Sequence, residues 1–243
     1  MSSTALLGIV QTVCGELGLP QPTTVVGTTT MQVKQMVAFA NVVGDGLRDE
    51  YNWPVLRQTA TITTINGASG YTVSNGAYTC SRIINETGWD ATNSWYFVGS
   101  VNDVEWAQWQ YGIMATPIRR IWRTTDDDAI EVFPVPTVNG DTLTVSFVTD
   151  LWARAYAGTP KSTMSADDDV HLFNDRLFIV GTKWRFLEAK GLPFAAPLNE
   201  WNDILGKRKA AARPQRTVSL DNRSMRRRRF VDYRNVPDTG FGT

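Results

Sequence analysis

Thr59-Ala60-Thr61-Ile62-Thr63-Thr64 is where the chain changes period. Its β-branched side chains keep few rotamers and fit a pleated surface, so it reads as a strand. The sequence before it is helical. Over residues 4–18, Leu6, Ile9, Val10, Val13 and Leu17 recur at steps of three and four, and Gly18 and Pro20 end the stripe. After a Pro/Gly/Thr loop over 20–30, Thr30 can cap a second helix, about 31–51, with the stripe Val33, Met36, Val37, Ala40, Val43, Leu47 and Tyr51.

Beyond residue 64 the strand period continues. Asn66-Gly67, Asn75-Gly76 and Asn139-Gly140 are turn signals. Strands are expected at Tyr78–Ile84, Ile118–Arg123, Ala129–Phe133 and Thr142–Thr149, with a short helix near Val101–Tyr111. Short strands joined by tight turns point to an antiparallel sandwich or partial barrel. Helical spacing returns with Val170, Phe173, Leu177, Val180, Trp184 and Leu187, for which Asp167-Asp168-Asp169 reads as an acidic helix start. A last helix, about 195–211, carries Leu198, Trp201 and Leu205. The expected fold is α+β. Residues 1–56 and 165–212 form a four-helix bundle from both chain ends, 57–164 an inserted antiparallel β-rich domain, and 213–243 an extended basic C-terminal arm.

Nine Trp, ten Phe and seven Tyr in 243 residues supply enough apolar surface for a real core. There is no apolar run of membrane-spanning length and no basic-plus-apolar leader at Met1-Ser2-Ser3-Thr4-Ala5, so neither a membrane span nor export by a signal peptide is expected. Cys14 and Cys80 form no CxxC pair; they read as small buried hydrophobes in a reducing compartment.

No catalytic, cofactor or metal site is expected. His171, the only histidine, has no nucleophile motif beside it and reads as a surface or cap residue. Asp126-Asp127-Asp128 and Asp167-Asp168-Asp169 lack the spacing of a calcium loop. Glu86, Asp90 and Glu105, among Trp89, Trp95 and Trp106, leave open a glycan-cleaving, peptidoglycan-degrading alternative, because such sites combine paired acids with aromatic platforms. No phosphate-binding glycine motif is present.

Charge is the outlier. Formal net charge is zero, yet residues 1–206 hold 13 Lys and Arg against 21 Asp and Glu, and residues 207–243 hold 11 against 3. Lys207-Arg208-Lys209 opens the basic segment and Arg226-Arg227-Arg228-Arg229 is its peak, followed at once by Phe230 and Tyr233. With few large apolar groups, residues 213–243 cannot fold alone and should stay extended until a partner orders them. A solvated tail and a nucleic-acid arm, whose arginines would release counterions from phosphates, are alternatives. A protein-docking arm is favoured, since arginines pair with carboxylates in two-pronged fashion while aromatic residues anchor.

Four segments, in order, carry a resemblance: Tyr51-Asn52-Trp53-Pro54-Val55-Leu56-Arg57; Arg82 to Asp90 with Trp95; Ile130-Glu131-Val132-Phe133-Pro134-Val135-Pro136 with Gly140-Asp141-Thr142-Leu143; and Trp184 to Leu192. Together they resemble the head-to-tail adaptor, or tail tubular, proteins of short-tailed bacteriophages. The resemblance implies a helical bundle with a β-rich domain. It also implies a non-enzymatic neck subunit, twelve to a ring, between the portal protein and the tail nozzle or tube protein. DNA would pass through the channel without specific binding. Such a chain would be monomeric when free, in the host cytoplasm during assembly and in the virion afterwards. It further implies a C-terminal arm that docks on the portal, here Arg213, Arg216, Arg223, Arg226, Arg227, Arg228, Arg229, Phe230, Tyr233 and Arg234, carried over by position.

Overall fold

The computed structural model describes residues 4–111 and 119–213. Helix α1 (Leu6–Leu17) buries Leu6, Ile9, Val10 and Val13 on one stripe and stops at Gly18, whose φ of 68° suits a residue without a side chain. Helix α2 (Met31–Glu50) buries Val33, Met36, Ala40, Val43 and Leu47. The chain then turns through the buried Trp53, whose indole N–H donates to the carbonyl of Leu47 at 2.6 Å, and a 3₁₀ turn at Pro54–Leu56 leads into strand β1 (Arg57–Thr63).

The strands that follow are β2 (Gly70–Thr72), β3 (Cys80–Ile83), β4 (Gly88–Asp90) and β5 (Trp95–Phe97). Helix α3 (Asp103–Tyr111) precedes β6 (Ile121–Asp126), β7 (Ala129–Phe133), β8 (Thr142–Thr149), β9 (Ala153–Arg154), β10 (Pro160–Lys161) and β11 (Val170–His171). Two helices close the described chain: α4 (Asp175–Ala189) and α5 (Ala195–Ala212).

Among the described residues the strands form three antiparallel sheets. The largest runs β1-β8-β4-β5, with β3 also on β8; the others are β2-β7-β6 and β10-β9-β11. Strand β8 organises the first, pairing with β1 from Arg57↔Val148 to Thr63↔Thr142. Ala60 and Ile62 of β1, Leu143, Val145 and Phe147 of β8, Phe97, Trp122 and Ile130 meet in one core shared by the first two sheets. The Asn-Gly turn before β8 places Gly140 at φ 95°, where its N–H reaches the Thr64 carbonyl at 3.0 Å.

The four-helix bundle expected from the two chain ends does not form; the fold is mixed α+β. Helix α4 is the hub on which α1, α2 and α5 pack, while α1 and α2 touch only lightly. The core these helices share is completed by Val148 of β8 and by Trp152, Ala153 and Met164 beyond it. The strict alternation of β8 ends at its last three residues, Phe147, Val148 and Thr149, all buried: Phe147 belongs to the sheet core and Val148 to the helical core. The stripes expected on α1 and α2 match their buried faces, whereas α4 is buried nearly all round from Leu177 to Thr182, Val170 of its expected stripe lies in β11 and Phe173 precedes the helix. Periodicity gives the width of such a face but not what covers it, and here much of it is covered by sheet residues and Trp152.

The acidic start expected at Asp167-Asp168-Asp169 is also corrected. Helix α4 begins eight residues after Asp167, at Asp175, capped by Asn174, whose side-chain oxygen accepts the Leu177 N–H at 3.2 Å. Asp167 instead accepts the amides of Val25 and Val26 at 3.1 and 2.8 Å, fastening the loop between α1 and α2. Asp169 is buried and accepts Lys161 Nζ at 2.6 Å and the Ser165 and Ala166 amides at 2.7 and 2.8 Å. Burial alone would raise its pKa; the lysine and the two amides outweigh that and hold it below the usual carboxylate range.

Candidate functional site

Of the residues assigned to the arm, only Arg213 is described. It caps α5 in an extended conformation (φ −68°, ψ 136°) with its N–H on the carbonyls of Lys209 and Ala210. Pro214 accounts for this, because its ring clashes with a helical conformation of the residue before it. Arg216, Arg223, Arg226, Arg227, Arg228, Arg229, Phe230, Tyr233 and Arg234 lie outside the described residues.

The basic residues at the end of α5 divide by role. Lys209 pairs with Glu50 and ties α5 to the end of α2. Lys207 and Arg208 are exposed and have no ion-pair partner among the described residues. Arg208 stands at the rim of an apolar cleft of about 440 Å³ between the 3₁₀ turn, the start of α4 and the end of α5. Trp53, Val55, Phe173, Leu177 and Ala211 line it. Val55 is 45% exposed there, beside the buried Trp53. Sequence reading missed this cleft, because its walls come from three segments far apart in the chain; the one local signal is Pro54-Val55, apolar yet placed just after a helix end.

His171 is fully buried, which overturns its reading as a surface or cap residue. Its ring stacks on Phe178 at 4.4 Å with 2° between the planes. Burial depresses its pKa to about 4, against the pull of the Asp175 carboxylate 3.3 Å away. The ring is therefore neutral at pH 7 and packs as a flat hydrophobe.

The three acids weighed for glycan cleavage stand in different settings. Asp90 is buried and engaged by Arg120 at 3.2 Å, which also pairs with Asp141, and by the backbone and side-chain N–H groups of Asn93 at 2.9 Å each. Glu105 is exposed on α3, and Glu86 precedes β4, its carbonyl accepting the Tyr96 hydroxyl at 2.9 Å. Of the tryptophans, Trp106 is buried under the Arg123 guanidinium, 4.8 Å from its ring centroid. Asp126, Asp127 and Asp128 are exposed at the β6–β7 turn. Cys80, half-buried near them, has its thiol pushed up to about 12 by burial and then by Asp128, Asp127 and Asp150, so it is a poor nucleophile. No group of three metal-ligating side chains occurs among the described residues, and no helix there is long and apolar enough to cross a membrane.

No protein-family model matches the chain, and no curated protein is significantly similar to it.

Proposed function

We propose that this chain is a structural adaptor subunit of a tailed-phage neck, joining the portal to the tail around the DNA exit channel. The observation that carries the reading is the separation of charge: 13 basic against 21 acidic residues up to 206, then 11 against 3. The ordered resemblance of four segments to neck adaptors supports it. So does the end of α5, where exposed Lys207 and Arg208 and an extended Arg213 lead into the arginine-rich segment.

The mechanism is assembly. A ring closes by repeating one heterologous contact around an axis. An arm that gains its order only on capture makes binding conditional on the partner, here a portal surface offering carboxylates to Arg226–Arg229 and pockets to Phe230 and Tyr233. An acidic body suits a channel for DNA, since a basic wall would grip the phosphates as they slide. The experiment is binding of the full chain to assembled portal rings, beside a variant with Arg226, Arg227, Arg228 and Arg229 all changed to Ala. The full chain binds, and the variant loses at least about tenfold in affinity. Equal binding by both rejects the arm, no binding by the full chain rejects the adaptor, and tight binding to DNA at low salt moves the assignment to nucleic acid.

A further inference from the structure

We infer that residues 214–221 fold back onto their own subunit and fill the cleft lined by Trp53, Val55, Phe173 and Leu177. The inference concerns the isolated chain and does not depend on the portal reading. Three observations carry it. First, the chain leaves the described structure at this cleft: Ala211 and Ala212 form part of its wall, and Arg213 turns the backbone extended. Second, the segment that follows has the right pattern and reach. Thr217-Val218-Ser219-Leu220 alternates polar and apolar, and Val218 and Leu220 are the first large apolar residues after Arg213. In an extended chain these two project to the same side, and seven residues span up to roughly 23 Å, ample to return across a cleft that begins at Ala212. Third, charge is complementary. Arg208 stands unpaired among the described residues at the rim, and Asp221 follows Leu220 directly, at the point where the segment would leave the cleft.

A surface with Val55 nearly half exposed beside Trp53 is a cost that a covering segment removes. Anchoring at 214–221 also divides the tail. Its root is fixed on the body, and the arginine cluster starts five residues beyond Asp221, free to engage another molecule.

Crosslinking in the full chain tests this. Val55→Cys paired with Leu220→Cys is compared with a control, Val55→Cys paired with Asp238→Cys, under mild oxidation in a Cys80→Ser background. The expected result is an intramolecular disulfide that forms at least about tenfold faster for position 220 than for 238, because a docked segment has a far higher effective concentration than a tethered one. Arg208→Glu slows that reaction by about threefold, and adding Asp221→Arg restores it. Equal rates at 220 and 238 overturn the inference. So does a disulfide found mainly between two molecules, which would assign the cleft to a second copy. Val55 is exposed, so its substitution leaves the core intact, and failure of the charge reversal to rescue removes the Arg208 contact.

Discussion

Gly44 sits in the middle of α2, where a glycine weakens a helix by roughly 1 kcal/mol relative to alanine. A Cβ built there would come within 2.3 Å of the Trp152 ring. The absent side chain lets the indole lie flat on the helix, where its N–H donates to Asp45 at 3.0 Å and its ring packs on Phe173 and Phe178. Gly44→Ala therefore destabilises the fold by about 1–3 kcal/mol despite the gain in helix propensity, which urea denaturation measures directly. His171 makes the second prediction at this scale. Its folded pKa of about 4 lies below the ordinary 6.5, so the unfolded chain takes up a proton that the folded one refuses. Its contribution is fully present above pH 6.5, is lost as pH falls towards 4, and falls no further below that. The loss is on the order of 3 kcal/mol at most. His171→Phe, which keeps the stack on Phe178, removes this part of the slope; identical curves for both proteins between pH 7 and 4.5 would refute the assignment.

Arg120 joins elements distant in sequence, since Asp90 ends β4 and Asp141 immediately precedes β8, while Arg120 itself leads into β6. Removing one partner of a buried ionic network leaves the rest uncompensated, so Arg120→Ala costs about 3–5 kcal/mol. Replacing Arg120 and Asp90 together, by Met and Asn, costs less than the single change, and thermal unfolding of the two variants separates the outcomes. Networks of this kind explain what was legible in the sequence. Local rules found the longer strands, because β-branching and Asn-Gly turns act over a few residues: the strand read at 59–64 is β1 at Arg57–Thr63, and the one at 129–133 is β7, whereas the two- and three-residue strands β2, β4, β5, β9, β10 and β11 carry too little pattern to be read. They found the stripes of α1 and α2 for the same reason. The partner of each stripe is a long-range fact, so Val148 and Trp152 in the helical core, the burial of His171 and the cleft at Trp53 stayed hidden. Asp167 and Asp169 misled because an acidic run before an apolar stripe is a helix start when its carboxylates meet the helix's own amides, whereas these meet the loops at 25–26 and 165–166.

Across the described residues, the buried hydrophobic side chains run from Leu6 to Leu205, with the partly buried Ala212 packed against the helical core. Charge is divided along the chain: residues 1–206 are net acidic and residues 207–243 net basic. Salt acts on the two differently. The body's surface ion pairs, such as Arg176 with Glu16 and Glu200, contribute little each, and its buried ones are screened little by salt, so its unfolding midpoint should move only slightly with ionic strength. Capture of an arginine cluster by a carboxylate surface is a sum of several exposed charge contacts, and the screening length falls from about 10 Å at 0.1 M salt to about 3 Å at 1 M. On the proposed adaptor reading, affinity of the full chain for portal rings should therefore drop by at least about tenfold between 0.05 and 0.5 M salt. The chain ended at Arg213 should stay folded and show no comparable salt dependence. A truncated body that binds with the same salt slope would place the contact on the acidic body itself and remove the arm from the interface.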